Sequence, residues 1–258
     1  AVAHLPLAER VAYLRRPEVR ARLLQERPDA VAGDGSSVPP LVDALLQRMD
    51  EAAFLMFPLL DPPVYEPSAN DSLAFRAMQS GEGALAALLD ALLEEDGRAM
   101  IYFALFNYMG MNLDNVRTML THPLSISGLT DGGAHVGTIC DASFPTTLLS
   151  WWGRDRPEGR LPLPWLVRKL TSEPAAYLGL HDRGLIAPGR RADLNLLDFD
   201  ALRVHRPQLH ADLPAGGKRL LQQASGYMAT VVAGEVTQLD GVLTGARPGR
   251  VVRDYGRP

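Results

Sequence analysis

Cysteine is almost missing. Cys140 stands alone among 258 residues, so no internal disulfide can form, which suits a reducing, cytoplasmic setting. The six histidines are His4, His122, His135, His181, His205 and His210, and they form neither a His-x-His nor a His-Glu-x-x-His pair. Spacing alone therefore assembles no complete metal site. A Gly-x-Ser-x-Gly elbow and a Walker phosphate loop are lacking too, which removes two common routes to catalysis. The longest apolar run, Met100 to Met111, is broken by Asn107 and is too short to span a bilayer. Ala1 to Arg10 carries charge early and has no signal-peptide core. Positive charge is not in excess: 26 Lys and Arg stand against 30 Asp and Glu, a net charge of -4, and a nucleic-acid footprint is not expected. Repeats and low-complexity tracts are absent as well.

What remains is ordinary globular composition, 47% hydrophobic and 22% charged, on a chain long enough for one large domain or two smaller ones. The chain opens at Ala1 in a helix-like stretch, which fits processing or a missing N-terminal half. Leu7, Val11 and Leu14 recur at helical spacing, with Pro17 as a break before Gln25. Ser37 reads as an N-cap, with Pro39 and Pro40 in the first turn and Leu41, Leu45 and Met49 on one face. Phe54 to Leu60 reads as a short strand, Asp61 to Pro67 as an extended loop, and Gly83 to Glu95 as an apolar helix. From Arg98 to Tyr108 the residues are β-prone. Asn112 then caps a helix over Leu113 to Leu120, Leu124 to Thr130 reads as a buried strand, and Pro145 to Trp152 as a further helix. Buried strand alternating with helix predicts an α/β fold, part of a TIM-like (β/α) barrel carrying its last strands and helices. About two units are clear, where a closed barrel needs eight. The texture changes near His181. Ala192 to Phe199 and Ala229 to Val236 read as strands, Leu239 to Val242 as a turn, and Arg250 to Arg253 as a last strand. The expected division is 1–180, a partial barrel with a helical inserted segment at its start, and 181–258, part of a small β-sandwich domain.

The sharpest stretch for chemistry is Ser127 to His135, with Thr130, Asp131, Gly132 and Gly133 at its centre. A carboxylate at the C-terminal end of a barrel strand points into an active site. There it can bind zinc and take a proton from an attacking water. The glycines let backbone approach a ligand closely, which makes Gly132 and Gly133 substrate-contact candidates. The plainer alternative is a turn aspartate with glycine partners. His135 can contact a substrate carboxylate or simply be solvated. His122 reads as a helix C-terminal residue, Asp141 as a cap for the next helix, Cys140 as packing, and the Trp151–Trp152 pair as one core and one interface contact.

Six stretches resemble one family. They are Thr130 to Val136, Phe144 to Leu149, Leu166 to Thr171, Leu180 to Leu194, Val232 to Val236 and Thr244 to Val251. Together they are similar to the N-acyl-D-amino-acid deacylase (D-aminoacylase-like) branch of the metal-dependent amidohydrolase superfamily, its C-terminal half only, over roughly residues 98 to 253. The resemblance implies a TIM-like barrel with a small β-sandwich and a zinc centre. It implies that Asp131 is the metal-binding catalytic aspartate after the last strand. It also implies an N-acyl amino acid as the small-molecule substrate, attacked by a zinc-activated water whose proton Asp131 passes to the leaving amine. The other zinc ligands have no counterpart here and are expected upstream of Ala1, so this chain alone is expected to be inactive. A homo-oligomer is compatible with this reading, and no nucleic-acid or membrane partner is expected. Two alternatives stand beside it: a catalytically incomplete scaffold or interaction fragment, and a cyclic-amide hydrolase of hydantoinase type.

Overall fold

The computed structural model describes residues 2, 4–26, 43–44, 47–128, 130, 132–133, 136–137 and 140–252. The chain divides into two compact units, Ala1–Val116 and Arg117–Pro258.

In the first unit, α1 (Leu7–Leu14) and α2 (Pro17–Gln25) are separated where the sequence predicts, with Pro17 opening α2, the position a helix tolerates because its N–H needs no partner there. The helix expected to start at Ser37 lies largely outside the described residues; its described end is the short α3 (Met49–Ala52). β1 (Met56–Pro58) pairs antiparallel with β2 (Ile101–Phe103), Phe57 opposite Tyr102. Between them run α4 (Leu73–Ser80) and α5 (Ala84–Gly97). The Ser72 hydroxyl accepts the Phe75 amide at 3.2 Å and so caps α4. The last turn of α5 unwinds at Glu94, with Glu95 and Asp96 at positive φ. Ala52, Ala53, Met56, Leu73, Ala84 and Ala91 form one buried cluster. Leu55, Phe57, Ala104 and Tyr108 form a second, in which the Tyr108 hydroxyl donates to the Pro67 carbonyl at 2.5 Å. Outside the core, Arg20 binds both Glu82 and Asp90 and ties α2 to the α4–α5 pair. α6 (Asp114–Thr121) crosses the division. Its start is fixed by Asn112, whose Oδ1 accepts the Asp114 amide at 3.0 Å, as the sequence indicates.

The second unit carries α7 (Phe144–Ser150), which continues into a π-helical turn at Trp151–Asp155, then α8 (Leu163–Leu170) and α9 (Ser172–Tyr177). Its strands are β3 (Leu194–Leu197), β4 (Arg203–Val204), β5 (Gln208–Leu213), β6 (Gly217–Leu221), β7 (Ala224–Ser225), β8 (Tyr227–Val232), β9 (Glu235–Leu239) and β10 (Val242–Leu243). Four of them make an antiparallel sheet in the order β10-β9-β8-β3; β4 pairs with β7 and β5 with β6. Arg154 fastens the π-turn to the loop after β3, donating to the carbonyls of Phe199, of Asp200 at 3.0 Å and of Leu202 at 2.7 Å. Asp193 fastens a second crossing. Its carboxylate accepts Arg191 Nε at 2.9 Å, Arg183 Nη1 at 3.3 Å and the Ala233 amide at 2.8 Å.

The mixed helix-and-strand class is as expected, and every ladder among the described residues is antiparallel. Three local expectations need correction. Leu124 lies in a turn and is 86% exposed, and 125–128 and 130 join no ladder among the described residues; a strand needs a neighbour for its backbone groups. Ala229 to Val236 is not one strand but the end of β8, a turn and the start of β9. Ala233 and Gly234 both take positive φ, the geometry of a tight two-residue hairpin turn. The last expected strand is absent over 250–252, and Arg253 lies outside the described residues.

Candidate active site

The segment leading to the site begins at the end of α6. There His122 follows the helix, and its Nδ1 accepts the Leu124 amide at 3.2 Å, which closes the turn after the helix end. The chain then runs through Ser125, Ile126, Ser127 and Gly128 to the Thr130 turn. Thr130 Oγ1 accepts the Gly132 amide at 3.1 Å, a side-chain-closed turn of the kind Thr makes with the residue two positions on. Gly132 is tightly packed: a Cβ there would lie 3.0 Å from Thr130 Oγ1 and 3.2 Å from Ala142 Cβ, so a neighbour would have to give way. Gly133 takes φ +98, with open space around the position of a Cβ, so its backbone is exposed to an approaching ligand. Farther along, the Val136 carbonyl accepts the Leu220 amide at 2.7 Å and ties the loop to β6. Asp131 and His135 lie outside the described residues. Of the sequence-predicted site residues, Gly132 and Gly133 are thus brought into one turn with Thr130.

Behind this turn the second unit is held by paired polar contacts. Ser143, at the start of α7, donates to Gln222, and Gln222 in turn donates to the His205 carbonyl at 2.9 Å. Thr146 meets the Tyr227 hydroxyl at 2.8 Å. Asp141 does not cap α7: it opens a short 3-10 turn, Asp141–Ser143, and the N-cap position is Ser143, which makes no side-chain cap bond. Pro145 in the first turn sets the helix start instead. Cys140 is a free, half-buried thiol whose pKa is pushed up to about 11, mainly by burial and then by Asp141 beside it. That makes it a poor nucleophile, in keeping with packing. Trp152 is buried with the Arg156 guanidinium 4.7 Å above its ring.

A metal ion needs three or four converging ligands. No group of three His, Cys, Asp or Glu side chains among the described residues could hold one. His205 is turned to the Ser225 hydroxyl at 3.1 Å. The described residues by themselves therefore do not fit a zinc centre. No helix among them is long and apolar enough to cross a membrane. Two polar residues inside the stretches that carry the resemblance, given no role of their own there, are structurally prominent here: Lys169, buried on α8, and Asp193.

A family model described as the amidohydrolase family matches residues 77–238, more than half of the chain. Among solved structures, a D-aminoacylase mutant in complex with copper chloride aligns at 24% identity and a TM-score of 0.40, covering 77% of this chain and 38% of that one. A D-aminoacylase described for its binuclear metal centre aligns at 20% identity and a TM-score of 0.40, covering 93% of this chain and 44% of that one. The chain thus spans less than half the length of these structures, and at that TM-score the likeness carries no argument.

Proposed function

We propose, since the chain belongs to the amidohydrolase family, that it forms the C-terminal part of a hydrolase acting on carbon–nitrogen bonds other than peptide bonds. Its substrates are N-acyl amino acids, those of D configuration first. Residues 1–180 contribute the last strands and helices of a (β/α) barrel, and 181–258 contribute part of a β-sandwich. The observation that carries the reading is the Thr130–Gly133 turn. The Thr130 hydroxyl accepts the Gly132 amide, a Cβ on Gly132 would crowd Thr130 Oγ1 and Ala142 Cβ, and Gly133 leaves its backbone open.

In this reading Asp131 does the acid–base work. It accepts a proton from the attacking water and delivers it to the departing amine nitrogen, which leaves as a neutral amine. The backbone at Gly132 and Gly133, and His135, face the substrate. Zinc is the cofactor we assign, with Asp131 among its ligands and the others outside the described residues. The test is a substrate panel run on the full-length hydrolase: N-acyl-D-amino acids, their L enantiomers and five-membered cyclic amides. Preferential hydrolysis of the D series supports the proposal, turnover of the cyclic amides alone would move it to a hydantoinase-type ring opener, and turnover of none would leave a scaffold.

A further inference from the structure

Where α5 ends, three successive residues take positive φ: Glu95 (φ 51, ψ 37), Asp96 (φ 55, ψ 41) and Gly97 (φ 77). Residues with side chains seldom enter this region in succession, and backbone held there is found disproportionately at binding sites. The turn presses the chain against α1. Gly97 comes so close that a Cβ on it would lie 2.5 Å from Val11 Cγ2 and 3.3 Å from Leu7 Cδ1. Arg15, just past the end of α1, donates from Nη2 to the Leu93 carbonyl at 2.9 Å and ties the two helices a second time. A groove of about 280 Å³ lies between them, wholly within the first unit, close to the lower end of ligand-sized pockets, about 300 Å³.

The lining of the groove has two parts. Leu7, Ala8, Val11 and Ala12 supply one apolar face of α1, since residues four apart stand side by side on a helix. Arg15, Asp96 and Arg98 supply charge of both signs. Elsewhere in this unit charges are paired, Arg20 with Glu82 and Asp90, and Arg76 with Glu94. In the groove they are not: the side chains of Asp96 and Arg98 make no ion pair or hydrogen bond among the described residues, and Arg15 makes only its bond to Leu93. A simple anion would meet Asp96 as a like charge, and a simple cation would meet two guanidinium groups. A small zwitterion with an apolar body complements all three charges and the apolar face. We propose that this groove binds a free α-amino acid with an aliphatic side chain, its carboxylate on Arg15 and Arg98, its ammonium on Asp96 and its side chain on the Leu7–Ala12 face. Hydrolysis of an N-acyl amino acid releases a ligand of this class. That connection rests on the function proposed above, whereas the binding rests on the groove alone.

The experiment titrates the isotope-labelled chain with L-leucine and follows the Val11 methyls and the Ala12 and Gly97 amides by NMR. The comparison ligands are 4-methylpentanoate, which lacks the ammonium, 3-methylbutylamine, which lacks the carboxylate, and sodium sulfate. Arg98→Gln and Asp96→Asn remove one charge each from exposed side chains, and asparagine suits the backbone at 96 at least as well as aspartate. Leucine should give saturating shifts at all three residues, with a Kd on the order of 1 mM. Each variant should weaken leucine about three- to tenfold. The carboxylate should bind more weakly than leucine and respond only to Arg98→Gln, and the amine should respond only to Asp96→Asn. Absence of saturating shifts at these residues, leucine affinity unchanged in both variants, 4-methylpentanoate binding as tightly as leucine, or the same shifts from sulfate overturns the proposal. The titration involves no turnover, so its failure leaves the hydrolase reading standing, and a failed substrate panel leaves the groove standing.

Discussion

Replacing Gly226 with alanine should be among the most damaging single-methyl additions in the second unit. Gly226 joins β7 to β8 with φ +92, and a Cβ there would lie 2.6 Å from Leu202 Cα and 2.7 Å from Leu202 N. Those neighbours are backbone, so no flexible side chain can turn aside. Holding a non-glycine residue at that φ costs about 1–3 kcal/mol, and forcing a methyl into a packed site costs about 1–3 kcal/mol more. Moving the 198–202 loop also threatens the bond from the Asp198 amide to the Gly226 carbonyl, 2.8 Å long, worth about 1 kcal/mol, and disturbs Leu202, which is fully buried. The expected loss is about 3–7 kcal/mol, read from urea denaturation followed by circular dichroism. Gly241→Ala is the control. It too has positive φ, +81, but nothing lies within 4 Å of the added methyl, so only the conformational part remains, about 1–2 kcal/mol. A Gly226→Ala loss no larger than the Gly241→Ala loss would refute the steric argument.

Two further outcomes follow from charge. Burial acts most strongly on Asp193 and by itself would raise its pKa, yet the Ala233 amide, Arg191 and Arg183 together hold the carboxyl below its usual value. A depressed carboxylate stabilises the fold above its unfolded pKa of about 3.9 and loses that contribution as pH falls through the lower folded value. Asp193→Asn should therefore lower the Tm at pH 7, and the difference should shrink below about pH 4; a difference constant from pH 7 to pH 2.5 would speak against the ionic account. Cys140, with its thiol near 11, should react with iodoacetamide at pH 8 about 100-fold more slowly than an unperturbed thiol, and labelling at the rate of a free thiol would contradict its burial.

Local signals in the sequence were good guides where one residue decides the geometry. Pro17 splits α1 from α2, Asn112 starts α6, and the Asp240–Gly241 pair closes β9 onto β10. They misled where the partner decides. Arg98 to Tyr108 is β-prone throughout, but only Ile101–Phe103 finds a ladder on β1. The β8–β9 turn was hidden because Ala233 takes the left-handed conformation that sequence patterns reserve for glycine or asparagine. At the site, Asp-Gly-Gly marks the turn openly, and the structure adds the Thr130 lock on it. Lys169 was missed because a lysine in an amphipathic helix reads as solvent-facing. The available signals were its place three residues after Leu166, on the buried face, and a glutamate four residues on.

The central claim is that Asp131 moves the proton in amide hydrolysis. Asparagine keeps the size and an oxygen at that position but has no charge and cannot carry a proton. In the full-length hydrolase acting on its preferred N-acyl amino acid, kcat of Asp131→Asn should fall by roughly 10²–10⁴-fold, with KM and Tm little changed. A kcat close to that of the unaltered protein would make Asp131 a turn residue and contradict the account.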